Sequence, residues 1–400
     1  MKVLVFTTLF PNQILPNQGV FIKERMLSYA VQNAHAIKVV APVPYFPPVR
    51  FSHRWKLRQV KRQEEQDGVE IFHPRYLMTP KIGMIFYGLW MFLSVFREIK
   101  RIQRTFDFDL IDAHCVYPDG FAAILLGQAF GKPVTVSARG SDINLYKEMF
   151  LIAPLLRFTL CRADKVIAVS NALKEAIVGL QVPERNVVVI PNGVDQKKFA
   201  PRSKQEARKL TGLGSSRVIL SVGHLTANKG FDLLVKALRL LIDEYGYRNA
   251  ILIIVGDGSY RAQLESLITS LDMTNHVQLV GAVAHDQLAT WYNSADLFCL
   301  ASGREGWPNV VMEALASGVP VVATSVGGIP EILTSDEIGL LTARNPMEIA
   351  KTLDRALRRE WSPERIRQGV EEYSWETAAE RVESVFSSLV ARKNASLSLA

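Results

Sequence analysis

Two carboxylates, Glu305 and Glu313, bracket the run Gly306-Trp307-Pro308-Asn309-Val310. Gly306 and Pro308 mark a turn, and proline is tolerated in the first helical turn because its missing N–H has no partner there. The pattern predicts a helix from about Asn309, whose free N–H groups and positive dipole end make an anion site. Glu305 falls in the loop ahead of that end and Glu313 about one turn inside, so both flank one anion pocket. A carboxylate suits the hydroxyls of a ribose or a sugar, since it accepts two hydrogen bonds. Taken singly, Glu305 reads as a cap and Glu313 as a solvated helix residue; the Gly-Trp-Pro-Asn between them favours a binding site. A second group, Val222-Gly223-His224-Leu-Thr-Ala-Asn228-Lys229-Gly230, reads as strand, loop and helix start. Lys229 stands just ahead of that helix, an unfavourable place for a cation unless a phosphate lies between them. In a third group, Asp112-Ala-His114 closes one strand and Ser137-Ala-Arg139-Gly140-Ser-Asp142 closes the next. There His114 is a candidate acid/base group or sugar contact, with Arg139 and Asp142 on the same rim.

The elements that must position these groups are short apolar runs alternating with helical patterns. Val3–Thr8, Ile37–Ala41, Leu110–Ala113, Val134–Ser137, Lys165–Val169 and Val187–Ile190 read as strands, beside helical segments such as Phe21–Val31 and Leu89–Gln103. Polar Pro191 to Gly214 reads as a linker. The alternation then restarts with Val218–Val222, Ile251–Val255, Val277–Val280, Leu297–Leu300 and Val319–Ala323. Two open parallel α/β sheets in tandem follow. In such sheets ligands sit at the carboxyl ends of strands. Gly223-His224, Gly256-Asp257-Gly258, Gly281, Ser302 to Gly306 and Thr324 to Gly328 all fall there.

Net charge is +8, and it is uneven: residues 1–200 carry 26 basic and 16 acidic side chains, residues 201–400 carry 21 and 23. That asymmetry disfavours a uniform nucleic-acid coat and suggests two halves with different partners. Cys115, Cys161 and Cys299 lie far apart, so a disulfide framework and a zinc site are disfavoured and a reducing compartment fits. The opening apolar run ends at Pro11-Asn12 without a small-residue cleavage site and reads as a first strand. No apolar stretch reaches the ~20 residues that span a bilayer. Met84 to Phe96 comes nearest, followed by Arg97, Lys100, Arg101 and Arg104. It reads as a buried helix with a solvated basic end, or as a helix pressed on an anionic membrane surface. The run Arg50 to Arg58 with Lys61-Arg62, holding Trp55, supports the second reading. No Gly-x-Gly-x-x-Gly follows the first strand and no Gly-Lys-Ser/Thr loop is present. Asp107-Phe-Asp109 leads straight into a strand and reads as its cap, not as a metal site.

At these motifs the chain resembles the retaining glycosyltransferases of family 4, and the likeness extends over nearly its whole length. The block from Glu305 to Glu313 carries it most specifically. Pro320-Val-Val-Ala-Thr324, Gly327-Gly328-Ile-Pro-Glu331, Ile190-Pro-Asn192-Gly193-Val-Asp195 and Val255-Gly256-Asp257-Gly258 support it. Tyr117-Pro-Asp119-Gly120 with Ala138-Arg139-Gly-Ser-Asp142 looks most like the branch of teichuronic acid and capsule synthesis. The resemblance implies a GT-B fold: two Rossmann-like domains, 1–195 on the acceptor side and 196–375 for the nucleotide sugar, facing a cleft. It implies a helix over 376–393 returning to the first domain, and a flexible tail over 394–400. It implies that Glu305 lies near the donor sugar and phosphates, that Glu313 binds the ribose, and that Lys229 holds the diphosphate. Gly19 would approach the phosphates, His114 the donor sugar, and Val280 to Val283 the base. His224 stands where the family usually has arginine, and Arg139 where it often has histidine. His114, Lys229 and Glu305 are thus the candidate catalytic residues. Gly19, Arg139, Gly223, His224, Gly256, Gly281, Val283, Gly306, Trp307, Pro308, Asn309, Val310 and Glu313 are the further candidate donor-binding ones. The expected reaction moves a sugar from a nucleotide-diphosphate sugar to a lipid-linked or polysaccharide precursor, without metal or resident cofactor, in the cytoplasm or on the inner membrane face. A nucleotide-sugar epimerase and a noncatalytic sugar-nucleotide-binding protein are the rival readings; no nucleic-acid partner is expected.

Overall fold

The computed structural model describes residues 1–32, 34–45, 53–78 and 81–398. It divides into two units, Met1–Asn192 with Trp375–Ala400, and Gly193–Ser374. The first unit holds β1 (Lys2–Phe6), β2 (Ala36–Val40), β3 (Val43–Tyr45), β4 (Gln63–Gln66), β5 (Val69–Phe72), β6 (Arg75–Leu77), β7 (Leu110–His114), β8 (Val134–Ala138), β9 (Lys165–Ala168) and β10 (Val187–Val189). Eight of them form a sheet in the order β10-β9-β8-β7-β1-β2-β5-β4, and β3 pairs with β6. Every pairing is parallel except β4 with β5, a hairpin closed by Asp67-Gly68. That dipeptide at positive φ is the usual two-residue hairpin turn. The sheet is covered on both faces, which is why β1 reads as an unbroken apolar run. Val3 and Val5 join the core under the helix Val20–Gln32, while Leu4 and Phe6 point the other way and are equally buried.

The last helix, Trp375–Ser398, belongs to this core. Ala379, Val382, Phe386 and Leu389 recur every three or four residues and bury one stripe against β1 and the helix Val20–Gln32. The helix runs past Lys393, so residues 394–398 are helical where a tail was expected. No glycine or proline interrupts Asn394-Ala-Ser-Leu-Ser398 to end it. Arg50 to Ser52 of the basic run lie outside the described residues.

The second unit holds β11 (Arg217–Val222), β12 (Ala250–Val255), β13 (Val277–Gly281), β14 (Leu297–Leu300), β15 (Val321–Thr324) and β16 (Gly339–Thr342), ordered β13-β12-β11-β14-β15-β16 and parallel throughout. The stretch from Pro191 to Gly214 is not a bare linker. It contains the helix Lys204–Thr211, capped by Ser203, whose Oγ accepts the Glu206 N–H at 3.3 Å. Only Ala207 of that helix is buried, so its polar composition hid it. In both sheets the order of the parallel strands reverses direction once, at β1/β7 and at β11/β14. Such switch points open a crevice at the carboxyl ends.

Replacing Phe386 by alanine should lower the stability of the first unit by about 3–5 kcal/mol, the usual loss for a buried aromatic ring. The ring is fully buried and meets Tyr29 edge-on at 5.3 Å. Urea unfolding checks this; an unchanged midpoint would mean that the last helix is not part of the core.

Candidate functional site

The loops after β11 and β14 meet at the switch point of the second sheet. Lys229 Nζ donates to Glu305 Oε1 at 2.6 Å, joining the two loops. The Gly303 N–H donates to Asn228 O at 2.7 Å, and Asn228 Nδ2 donates to Arg304 O at 3.0 Å. Arg344, just past β16, donates to Ala301 O at 3.1 Å and to Ala227 O at 3.4 Å, holding the same two loops. Gly327 presses on the far side. Its φ is +55°, and a Cβ there would lie 1.9 Å from Glu305 O, so only glycine permits the contact. Lys229 is thus held by a carboxylate just ahead of its helix.

The helix begins at Asn309 as expected, and its capping position, Pro308, supplies no side-chain hydrogen bond. Glu313 is buried inside it. Its Oε2 accepts the Tyr292 hydroxyl at 2.8 Å, and its Oε1 lies 3.1 Å from His285 Nε2. Lys198 Nζ lies 3.3 Å from His285 Nδ1, which assigns the ring proton to Nε2 and makes it the donor to Glu313. Burial, then the Glu313 charge, pushes the Tyr292 hydroxyl well above its ordinary pKa, so it donates and does not ionise. Glu305 and Glu313 thus engage different partners. Sequence reasoning missed His285 and Tyr292. They lie in the stretch before β14 with no glycine or proline signature, and only the fold brings them to Glu313.

The other expected residues of this unit line the same strand ends. The Gly256 N–H donates to Gly281 O at 2.8 Å, and Val283 follows two residues later. His224 is exposed beside Gly223. Gly306, Trp307 and Pro308 are buried, Val310 partly so, and the Trp307 ring faces Tyr373 at 5.3 Å.

In the first unit the expected residues gather at the carboxyl ends of β1, β7 and β8, but not as exposed groups. His114 is fully buried. Arg139 donates to its Nδ1, while Nε2 lies 3.1 Å from Asp112 Oδ2, out of line for a good hydrogen bond. Burial pushes its pKa down to about 3, so the ring is neutral. Both His114 nitrogens thus face protein groups, and neither reaches solvent. Arg25, which the sequence reading passed over as a helix residue, is fully buried too and donates to Asp112 at 3.1 Å and Ser137 Oγ at 3.0 Å. Burial raises the pKa of Asp112, but the His114 and Arg25 contacts outweigh it and leave the carboxyl below its ordinary value. Arg139 also donates to Asn192 at 2.8 Å and covers the Phe21 ring at 5.1 Å. Gly19 has φ +70°, and a Cβ there would lie 2.2 Å from Leu9 O, so packing alone already requires glycine.

Asp119 accepts the Thr8 N–H at 2.6 Å, yet burial pushes its pKa up to about 7. Between pH 4 and 6.5 these two groups act oppositely on stability. His114 takes a proton only in the unfolded chain, so its contribution falls on acidification; Asp119 takes one in the folded chain, so its contribution rises. Asp119→Asn should thus unmask a loss of stability as pH falls across that window. Urea midpoints of both proteins measured across it check this; parallel curves would contradict the raised pKa of Asp119.

Residues 203–373 match the family model described as glycosyl transferases group 1, and residues 76–198 the model described as Glycosyltransferase Family 4. TuaC of Bacillus subtilis, provisionally named a teichuronic acid biosynthesis glycosyltransferase, is 29% identical over 375 residues spanning 91% of each chain. Among solved structures, sucrose-phosphate synthase from Thermosynechococcus elongatus matches with TM-score 0.79 and 20% identity, covering 98% of this chain and 99% of that one. HepE of Anabaena in complex with UDP and glucose matches with TM-score 0.73 and 20% identity, covering 97% and 100%. At such identities these two likenesses speak for the fold, which is GT-B. With its halves matching the two models in order along one chain, this protein belongs to the family 4 glycosyltransferases.

Proposed function

We propose that this glycosyltransferase moves a sugar from a nucleotide-diphosphate sugar to a hydroxyl of a lipid-linked or polysaccharide precursor of a cell-surface glycan, with retained anomeric configuration. The observation that carries the reading is the Lys229–Glu305 pair at the β11/β14 switch point, with Glu305 in the loop ahead of the helix that starts at Asn309. A diphosphate leaving group gains charge as its bond to the anomeric carbon breaks. A lysine and a helix N-terminus are preorganised to meet that charge, the kind of term that dominates many rate enhancements. Glu305, an acceptor only, cannot hold a phosphate; it orients Lys229 and accepts sugar hydroxyls. Glu313, held by Tyr292 and His285, keeps its lone pairs aimed for ribose hydroxyls.

Retention by double displacement needs a free carboxylate nucleophile. Both carboxylates of the motif are engaged, Glu305 by Lys229 and Glu313 by two donors. That favours a front-face route. The acceptor oxygen bonds to the anomeric carbon on the side from which the diphosphate departs, and the acceptor proton passes to the departing phosphate oxygen. His114 is neutral and enclosed, so it takes no part in proton transfer. Neither a metal nor a resident cofactor is part of the proposal. The three cysteines are free, which supports a cytoplasmic setting. The uridine diphosphate named with the HepE structure supports a nucleoside diphosphate as product.

Nucleotide release measured over a panel of nucleotide sugars, with acceptor present, tests the reading. Lys229→Ala should lower turnover by about a hundred- to a thousandfold, as loss of one preorganised charge contact does. Wild-type turnover in that variant would refute the phosphate role. Glu313→Gln should weaken donor binding more than turnover, read as a KM-against-kcat split. Isomerisation of the donor without acceptor would replace the transferase reading by an epimerase.

A further inference from the structure

Two exposed apolar segments of the first unit lie side by side. One is the start of the helix Tyr87–Thr105, where Phe86, Leu89 and Leu93 are 46%, 40% and 54% exposed. Steps of three and four residues put them on one stripe. The same stripe continues through Arg97, Lys100 and Arg104, all exposed. Met91, Val95, Ile99 and Ile102 fill the opposite, buried face, so the exposed stripe is not the core-facing one. It is apolar in its first half and basic in its second. The other segment is the turn ahead of the helix Ala153–Arg162, where Phe150 is 88% and Leu151 62% exposed, with Leu145 and Met149 beside them in sequence.

The residues 116–120 hold the two segments together. Tyr117 donates its hydroxyl proton to Met84 O at 2.5 Å, just ahead of the first helix. Both helices pack against this stretch. Tyr146, at the start of the turn, lies near enough to Tyr87 for the two hydroxyls to affect each other's ionisation.

We propose that this surface seats the first unit on an anionic lipid bilayer. Phenylalanine and leucine side chains this exposed lose the stabilisation of burial in water and regain it at the acyl boundary. Arg97, Lys100 and Arg104 form no ion pair with any described residue, so their charge is available to phosphate headgroups. An apolar stretch followed along one stripe by available cations matches a lipid interface in both respects. A protein partner would need carboxylates placed to meet each of the three cations. The inference is independent of the transferase reading, because none of these residues belongs to the donor site.

Co-sedimentation of the full chain with phosphatidylcholine vesicles, with and without phosphatidylglycerol, tests it. The chain should bind the anionic vesicles, and added salt should weaken the binding. The double variant Phe150→Ser with Leu151→Ser should bind at least about tenfold more weakly. The triple variant Arg97→Glu, Lys100→Glu and Arg104→Glu should lose the preference for anionic lipid. Unchanged urea midpoints would show that both variants remain folded, as substitutions at exposed sites allow. Equal sedimentation of all three proteins would overturn the proposal, as would failure of the wild type to bind anionic vesicles. A dimer that Phe150→Ser abolishes, without vesicle binding, would assign the surface to a second copy instead.

Discussion

All six strands of the second sheet run the same way, so their carboxyl ends share one edge, and every loop that leaves them starts there. Because the order reverses between β11 and β14, the loops after those two strands diverge to opposite sides and leave a crevice. The Lys229–Glu305 contact is made across that gap. It depends on the parallel register beneath it: Ile219 faces Leu297 and Leu220 faces Phe298, which sets the two loops at one height. Arg344 and Gly327 come from the ends of β16 and β15, further along the same edge, and hold the pair from outside. A shift of one strand would remove the contact without changing a single residue of the motif.

The first unit shows what the same edge costs when it is closed. Arg25, Asp112 and His114 are enclosed there, and enclosing charge is unfavourable unless each group is paired. The pairing is incomplete: Arg25 Nε and Nη1 have no partner among the described residues, while Asp112 is bound by Arg25 and Thr135. The network joins the strand ends around His114, and burial holds that ring neutral.

Much of the fold was legible. The apolar runs that became β1, β7, β8, β11, β12 and β14 are buried on both faces, so their composition alone marks them. Less legible were β4 and β5, polar and at the sheet edge, although Asp67-Gly68 carried a hairpin signal. The helix Lys204–Thr211 was read as linker because it buries only Ala207 and so has no apolar stripe. At the site, the helix start at Asn309 was legible from Pro308, and Lys229 with Glu305 from their places after two strands. The partners of Glu313 were not, because Tyr292 and His285 are brought to it by the packing of neighbouring segments and share no motif with it.

By themselves the residues determined which groups are available for chemistry and that they would follow strands, since the strand signal and the glycines after it are local properties of the chain. Only the tertiary structure decided which of those groups meet. Lys229 and Glu305 are 76 positions apart and touch. His114, the most reactive-looking group of the first half, is shut away by Asp112 and Arg139. Contacts across a parallel sheet are set by strand order, and strand order is a property of the whole fold, which no single motif encodes.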